Sequence, residues 1–249
     1  MFSTKQLNKR TSLFIEKFVQ FLLDTPVALL IGLEILVGSV LSGFSFILFA
    51  KLSDTILDKE KILFDTVITQ FIYTFRSPLM TQVMFFITSL GSYFLVAGSI
   101  FILLFLLYKK HKNEAILFSL IVLMGAVINI ILKVIIQRPR PTFYPLVIVK
   151  DFSFPSGHSM DSFVFFITIA YFSYHFTRNK KVSAIIAVLC ALLIILIGIS
   201  RVYLGVHYPS DVLGGYIAGL LWFLTIIVLE RTFILFRLFR EHEKPTQKK

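Results

Sequence analysis

Long apolar runs recur along this chain, and they limit its fold more than any other feature. Val182 to Ile199 is almost wholly apolar and long enough to cross the hydrocarbon core of a bilayer, which takes about 20 residues as a helix. Comparable runs cover about Val27 to Ala50, Ser92 to Tyr108, Ala115 to Leu132, Ser156 to Phe176 and Val212 to Leu229. The expectation is an all-α, polytopic membrane protein with six transmembrane helices and short extracytoplasmic surface helices. A hydrophobic fraction of 57%, 28 Phe and a mean hydropathy of +0.84 in 249 residues exclude a soluble domain of this size. The single cysteine, Cys190, sits inside an apolar run, so no disulfide framework exists.

The segments between the runs set the organisation. Met1 to Asp24 is basic and amphipathic, with Phe14, Phe18, Phe21 and Leu22 at helical spacing, and reads as an interfacial helix. Glu16 and Lys17 interrupt its apolar face, which argues against a signal peptide. Glu34 lies within the first span, where an ionisable group is expected to face the bundle interior or water. Lys51 to Ser77 has room for a loop and a short surface helix. Leu79 to Leu90 is too short to span and is punctuated by Gly91-Ser92, so a shallow helix, hypothesised to be a lid at the outer surface, is expected there; one tilted helix of about 30 residues through Tyr108 is the alternative. The chain is expected to form a single membrane domain over residues 1–249, with a cytoplasmic amphipathic segment at 1–26, a core at 27–229 and a basic tail at 230–249.

Charge orients it. With six spans, 16 Lys and Arg lie on the side of the termini and 9 on the other, which places the termini in the cytoplasm. The net charge of +11 is thereby assigned to membrane topology, and no nucleic-acid partner is expected.

Three polar motifs then fall on the extracytoplasmic face. In Lys133-Val-Ile-Ile-Gln-Arg-Pro-Arg140-Pro141, two cations at a helix end and a stiff Pro turn suit an anion, with the guanidinium able to grip phosphate oxygens in pairs. The alternative is that Lys133 snorkels while Arg138 and Arg140 anchor to headgroups. Pro155-Ser156-Gly157-His158 opens the fourth span, where free backbone N–H groups form an anion site and glycine admits an oxygen; alone, it also fits an ordinary turn and cap. In Ser200-Arg201 followed by His207 and Asp211, Pro209 at a first helical turn puts the His and Asp about one turn apart. The carboxylate can then fix the imidazole tautomer, as in an activated nucleophile or base. An interfacial His and a capping Asp are the plain alternative. Asp151 and Asp161 are the remaining nearby acids, and Asp161 fits either a contact with His158 or a partner within the bundle.

Together, Lys133-x6-Arg140-Pro141, Pro155-Ser156-Gly157-His158 and Ser200-Arg201-x5-His207-x3-Asp211 resemble the three-part signature of the type-2 phosphatidic acid phosphatase family, over about Leu79 to Leu229. The resemblance implies a six-helix membrane phosphatase, of a compact bacterial kind, acting on lipid phosphates without metal or other cofactor. It implies that His207 attacks phosphorus and forms a phosphohistidine while Asp211 orients it. His158 would protonate the leaving oxygen and then activate water. Lys133, Arg140 and Arg201 would neutralise the phosphoryl oxygens, with Ser156 and Gly157 donating hydrogen bonds. Undecaprenyl pyrophosphate, phosphatidylglycerol phosphate and phosphatidic acid are the implied substrate candidates, membrane lipids the implied surroundings, and the oligomeric state is left open. A lipid phosphotransferase would keep every motif, and a non-catalytic transporter on the same fold would not need His207 or Asp211.

Overall fold

The computed structural model describes residues 15–58, 62–177 and 179–243. Its regular structure is entirely helical among these residues. Residues 15–24 form α1, followed by α2 (Pro26–Leu57), α3 (Leu63–Tyr73), α4 (Pro78–Leu90), α5 (Tyr93–Tyr108), α6 (Lys112–Ile136), α7 (Gly157–Phe176), α8 (Lys180–Tyr203) and α9 (Pro209–His242). The interfacial segment expected from residue 1 falls partly outside the described residues.

Among the described residues, five helical stretches are both long and apolar enough to cross a membrane: α2, α4 with α5 taken together, α6, α8 and α9. The sixth expected span is α7. Its 20 residues match a bilayer crossing in length, but Ser, Thr, His and Asp residues keep it out of that apolar set. These polar residues are nonetheless accommodated by burial. Ser159, Ser162 and Thr168 are fully enclosed, and the Ser162 and Thr168 hydroxyls donate back to the carbonyls of His158 (2.5 Å) and Val164 (2.6 Å), which satisfies them inside the helix itself. Many side chains of the other helices, including Leu36, Phe101, Ile130 and Leu192, are instead exposed and apolar, the pattern expected of a surface solvated by lipid.

The contacts cluster into two compact units: the chain up to Ser42 with the chain from Leu224, and Gly43 to Phe223. In the first, Phe21, Ala28 and Ile31 pack with Leu235 and Phe239, and Glu34, at the depth that required a partner, pairs with Arg231 at 3.1 Å. In the second, α7 packs against α5, α6 and α8. Leu95, Leu106, Phe118, Phe165 and Phe172 fill the α5–α6–α7 interface, while Phe49, Ile136, Phe154, Met160 and Ala218 form a second cluster.

Local signals fix the helix ends that matter. Ser77 caps α4, accepting from the Met80 N–H at 3.2 Å with Pro78 at the first helical position, and Asn179 caps α8 through the N–H groups of Lys181 (3.0 Å) and Val182 (3.4 Å). The stretch Leu79 to Leu90 lies in a helix that breaks at Gly91-Ser92, and together with α5 it makes a 31-residue apolar length, so both the shallow helix and the single tilted crossing fit it; its Met80 and Met84 lie on Tyr203, Leu204 and Val206. α6 stops at Ile136 because Gln137 turns left-handed (φ 51°) ahead of Pro139 and Pro141, so Lys133 and Arg140 do not share one continuous helix.

Candidate active site

The elbow between α8 and α9 is built from its own sequence. Gly205 takes φ +75°, a left-handed turn open to glycine, and a β-carbon there would lie 2.9 Å from the Pro145 Cα. Tyr208, Pro209, Ser210 and Asp211 then start α9 as a capping box in which the third helical residue reaches back. The Tyr208 N–H donates to Asp211 Oδ2 at 2.8 Å, and the Asp211 N–H donates to the Tyr208 carbonyl at 3.0 Å. The capping role foreseen as the plain alternative for Asp211 is therefore present, and it coexists with contacts to His207.

His207 and Asp211 are both buried, with Asp211 fully enclosed. His207 Nδ1 lies 3.5 Å from Asp211 Oδ2 and 3.4 Å from Ser153 Oγ, and Ser153 Oγ donates to the same carboxylate oxygen at 2.5 Å. On the other side of the ring, Arg140 Nη1 is 3.1 Å from His207 Nε2. An arginine N–H can only donate, so this nitrogen is held as the acceptor and the ring proton belongs on Nδ1, facing Asp211. Burial lowers the His207 pKa to about 4 even though the Asp211 hydrogen bond and charge oppose the change, so the ring is neutral at pH 7.

Three cations gather near this imidazole. Lys133, in the last turn of α6, donates to Asp151 Oδ2 at 2.8 Å and to the Phe152 carbonyl at 2.5 Å. Arg140 donates to the Val206 carbonyl at 2.6 Å and the Asp151 carbonyl at 2.8 Å, and its Nη2 pairs with the Asp151 carboxylate. Arg201, buried in the last turn of α8, donates to Thr88 Oγ1 at 2.6 Å, and its Nε has no partner among the described residues. His158 is half-buried, within electrostatic reach of Arg201, His207, Lys133 and Arg140.

Ser156 and Gly157 sit at the start of α7. The Ser156 N–H is taken by the Asp211 carbonyl (3.0 Å), and its hydroxyl oxygen accepts from Ser159 Oγ at 2.9 Å. The Ser156 side chain makes no cap bond, so the first-turn N–H groups of α7 are left for an anion. Close packing holds this turn against α9: a β-carbon on Gly215 would lie 2.8 Å from the Ser156 carbonyl oxygen. All eight residues singled out from the three motifs thus belong to one neighbourhood, with the qualification that the Ser156 amide is already engaged.

Several contributors carry no sequence motif. Arg138, considered a headgroup anchor, instead turns inward: its guanidinium donates to Asp211 Oδ1 (2.5 Å), Ser210 Oγ (2.7 Å) and Asp65 Oδ2 (2.8 Å). Burial alone would lower the Arg138 pKa, but the Asp211 and Asp65 carboxylates outweigh it and raise it. Asp65, in the first turn of α3, also accepts from Ser210 N (2.7 Å) and Ser210 Oγ (2.6 Å). Asp151 bridges Lys133 and Arg140; burial would raise its pKa, but the hydrogen bonds from those two cations prevail and lower it. The Arg-Pro-Arg-Pro doublet was the only sequence signal for Arg138, and Ser153, Asp65 and Thr88 had none. The partner within the bundle considered for Asp161 is not found among the described residues: its buried Oδ1 has no hydrogen bond.

Comparison with known proteins gives the family. Residues 114–234 match the family model of the PAP2 superfamily. The chain is 38% identical to the phosphatidylglycerophosphatase B of Bacillus subtilis (strain 168) over 164 residues, 65% of this chain and 81% of that one. It is 28% identical to the undecaprenyl-diphosphatase BcrC of the same organism over 153 residues, 59% of this chain and 72% of the relative. The crystal structure of a transmembrane PAP2 type phosphatidylglycerolphosphate phosphatase from Bacillus subtilis superposes with a TM-score of 0.66 at 33% identity, covering 83% of this chain and 98% of that one. A buried His–Asp pair ringed by cations, within a polytopic helical membrane protein that matches these relatives over most of their length, means that the chain belongs to the PAP2 superfamily and is an enzyme of that membrane hydrolase family.

Proposed function

We propose that this chain hydrolyses lipid phosphates or diphosphates at the extracytoplasmic face through a phosphohistidine on His207. The observation that carries the reading is the two-sided grip on that ring: Asp211 keeps the proton on Nδ1, and Arg140 covers the Nε2 lone pair, which is freed for attack when a phosphoryl oxygen draws the guanidinium onto itself. In-line attack by Nε2 forms the N–P bond as the ester or anhydride P–O bond breaks, and His158, which takes up a proton only when the anionic phosphoryl group of the substrate offsets the neighbouring cations, gives that proton to the leaving oxygen. The growing imidazolium is stabilised by Asp211. His158 then takes a proton from water, whose oxygen attacks phosphorus, breaks the N–P bond and releases inorganic phosphate. Lys133, Arg140 and Arg201 neutralise the phosphoryl oxygens, and the α7 N-terminus with Gly157 and the Ser156 hydroxyl donates to charge that grows in the transition state.

With α7 as a sixth span, both termini lie on one side, and the 16 to 9 distribution of Lys and Arg puts them in the cytoplasm with the site opposite. The substrate class follows the relatives named as acting on phosphatidylglycerol phosphate and undecaprenyl diphosphate. The test is phosphate release by purified protein in detergent, with a chelator present, across phosphatidylglycerol phosphate, phosphatidic acid and undecaprenyl diphosphate, beside His207→Ala. Release by the wild type and none by the variant is expected. Release only after a divalent metal is added overturns the mechanism, and phosphate appearing on a second lipid rather than in solution makes the protein a transferase.

A further inference from the structure

A cavity of about 510 Å3 opens beside the site between the α4–α5 turn, α5 and α7. Tyr93, Leu95, Val96, Ala97 and Ile100 form its α5 wall, and His158 and Asp161 face it from the first turns of α7. Beyond the exposed Tyr93 at its start, the α5 wall is aliphatic, and Val96 and Ile100 are largely exposed, so the space is continuous with the apolar exterior of the bundle. Within this setting the Asp161 carboxylate is anomalous. One oxygen is buried with no hydrogen bond, and no cation is bonded to the group among the described residues. The hydroxyl of Ser92, in the turn, is spent on the Ser89 carbonyl at 3.2 Å, and the exposed Tyr93 makes no hydrogen bond to the carboxylate. A buried carboxylate without a donor is costly, and a cavity that brings one a hydroxyl removes that cost.

We infer that this cavity is the leaving-group subsite and that Asp161 is its specificity determinant, accepting a hydrogen bond from a free hydroxyl next to the phosphoester. The inference rests on the phosphatase reading above, in which His158 faces the leaving oxygen. Since Asp161 lies one turn along the same helix, the group beyond that oxygen enters the space the carboxylate lines. The favoured substrates are therefore phosphomonoesters of a lipid whose alcohol portion is hydroxylated, of the glycerol type. Lipid diphosphates are disfavoured, because their leaving group is itself a phosphate anion and meets a like charge. A site built to accept from a hydroxyl rejects the analogue that lacks it, because its buried acceptor is then left unpaired.

The experiment uses the full chain in detergent micelles and two probes that differ by one hydroxyl: 1-acyl-glycerol 3-phosphate and its 2-deoxy counterpart. An undecaprenyl diphosphate arm is added. For the wild type, kcat/KM is expected to favour the hydroxylated probe by about 10- to 100-fold, the range for one hydrogen bond to a charged group. In Asp161→Leu that ratio falls to near one while the rate on the deoxy probe holds within a few fold. In Asp161→Asn part of the ratio survives, and turnover of the diphosphate rises relative to wild type. A wild type with no preference, an Asp161→Leu ratio equal to wild type, or equal loss on both probes in both variants each overturns the assignment. If the wild type releases no phosphate from any of the three lipids, the phosphatase reading fails and this inference fails with it; activity with an unchanged ratio removes the inference alone.

Discussion

Asp151 occupies the two cations that the proposed mechanism assigns to phosphate, so a substrate must displace a carboxylate before it can be gripped. Its oxygens take Lys133 Nζ at 2.8 Å and Arg140 Nη2, while the Asp151 side chain remains 54% exposed. At that exposure each ion pair is worth about 0.2–1 kcal/mol after solvent screening, so the two together compete with phosphate by roughly 0.5–2 kcal/mol. Asp151→Asn keeps the shape and the backbone carbonyl that holds Arg140 Nε but removes the charge. The expected outcome is a KM for lipid phosphate lowered by about 2- to 30-fold with kcat little changed, since each 1.4 kcal/mol is tenfold and the contact removed belongs to the unliganded enzyme. Inorganic phosphate should inhibit the variant more tightly by the same factor, which checks binding without turnover. A KM that rises in Asp151→Asn, with weaker phosphate inhibition, would refute the reasoning: the carboxylate would then be a support for Lys133 and Arg140, not a competitor.

Other expectations follow from the same contacts. The pH profile of kcat/KM should hold its acid limb near the depressed His207 pKa of about 4, not near 6.5. The linked stability has a definite sign: below pH 6.5 the unfolded chain takes up a proton that buried His207 refuses until about pH 4, so stability is full above 6.5 and falls through that window, measurable as Tm against pH. Arg138→Ala should lower Tm sharply, with a loss of about 3–5 kcal/mol, because the Asp65 and Asp211 carboxylates are left buried and uncompensated. The double variant Arg138→Met with Asp65→Leu should recover part of it. Asp211→Asn should cost about 10²- to 10⁴-fold in kcat with little change in KM, since the neutral amide cannot stabilise the imidazolium that forms as Nε2 attacks.

The helices were legible because apolar run length is set by bilayer thickness: Ala115 to Leu132 became Lys112–Ile136, and Val182 to Ile199 became Lys180–Tyr203, each extended past the charged residues, Lys133 and Arg201 among them, at which a hydropathy argument stops. α7 shows the limit of that argument. Its Ser, Thr and His residues are tolerated by back-bonding and enclosure, which depend on neighbours from elsewhere in the chain. The site was legible to the extent that its residues carry fixed spacings around proline and glycine, as in Ser200 to Asp211. Asp65 was not, because a lone acid in the first turn of an amphipathic helix looks like ordinary capping; only tertiary packing brings it to Arg138 and Ser210 at separations of 73 and 145 residues. In the sequence Asp151 is only a nearby acid, and its bridging role depends on how the Pro-rich loop folds back over Lys133.

The central claim is that the phosphoryl group passes through His207. The most direct measurement pairs His158→Ala with an aryl phosphate, whose leaving group needs no protonation, so that the first step proceeds while the water step is slowed. Peptide mass spectrometry after an alkaline quench, which preserves phosphohistidine, is expected to find one phosphoryl group on His207 and none in the His158→Ala, His207→Ala double variant. Turnover of the aryl phosphate without any label on His207, or label on another residue that survives the double substitution, would contradict the account.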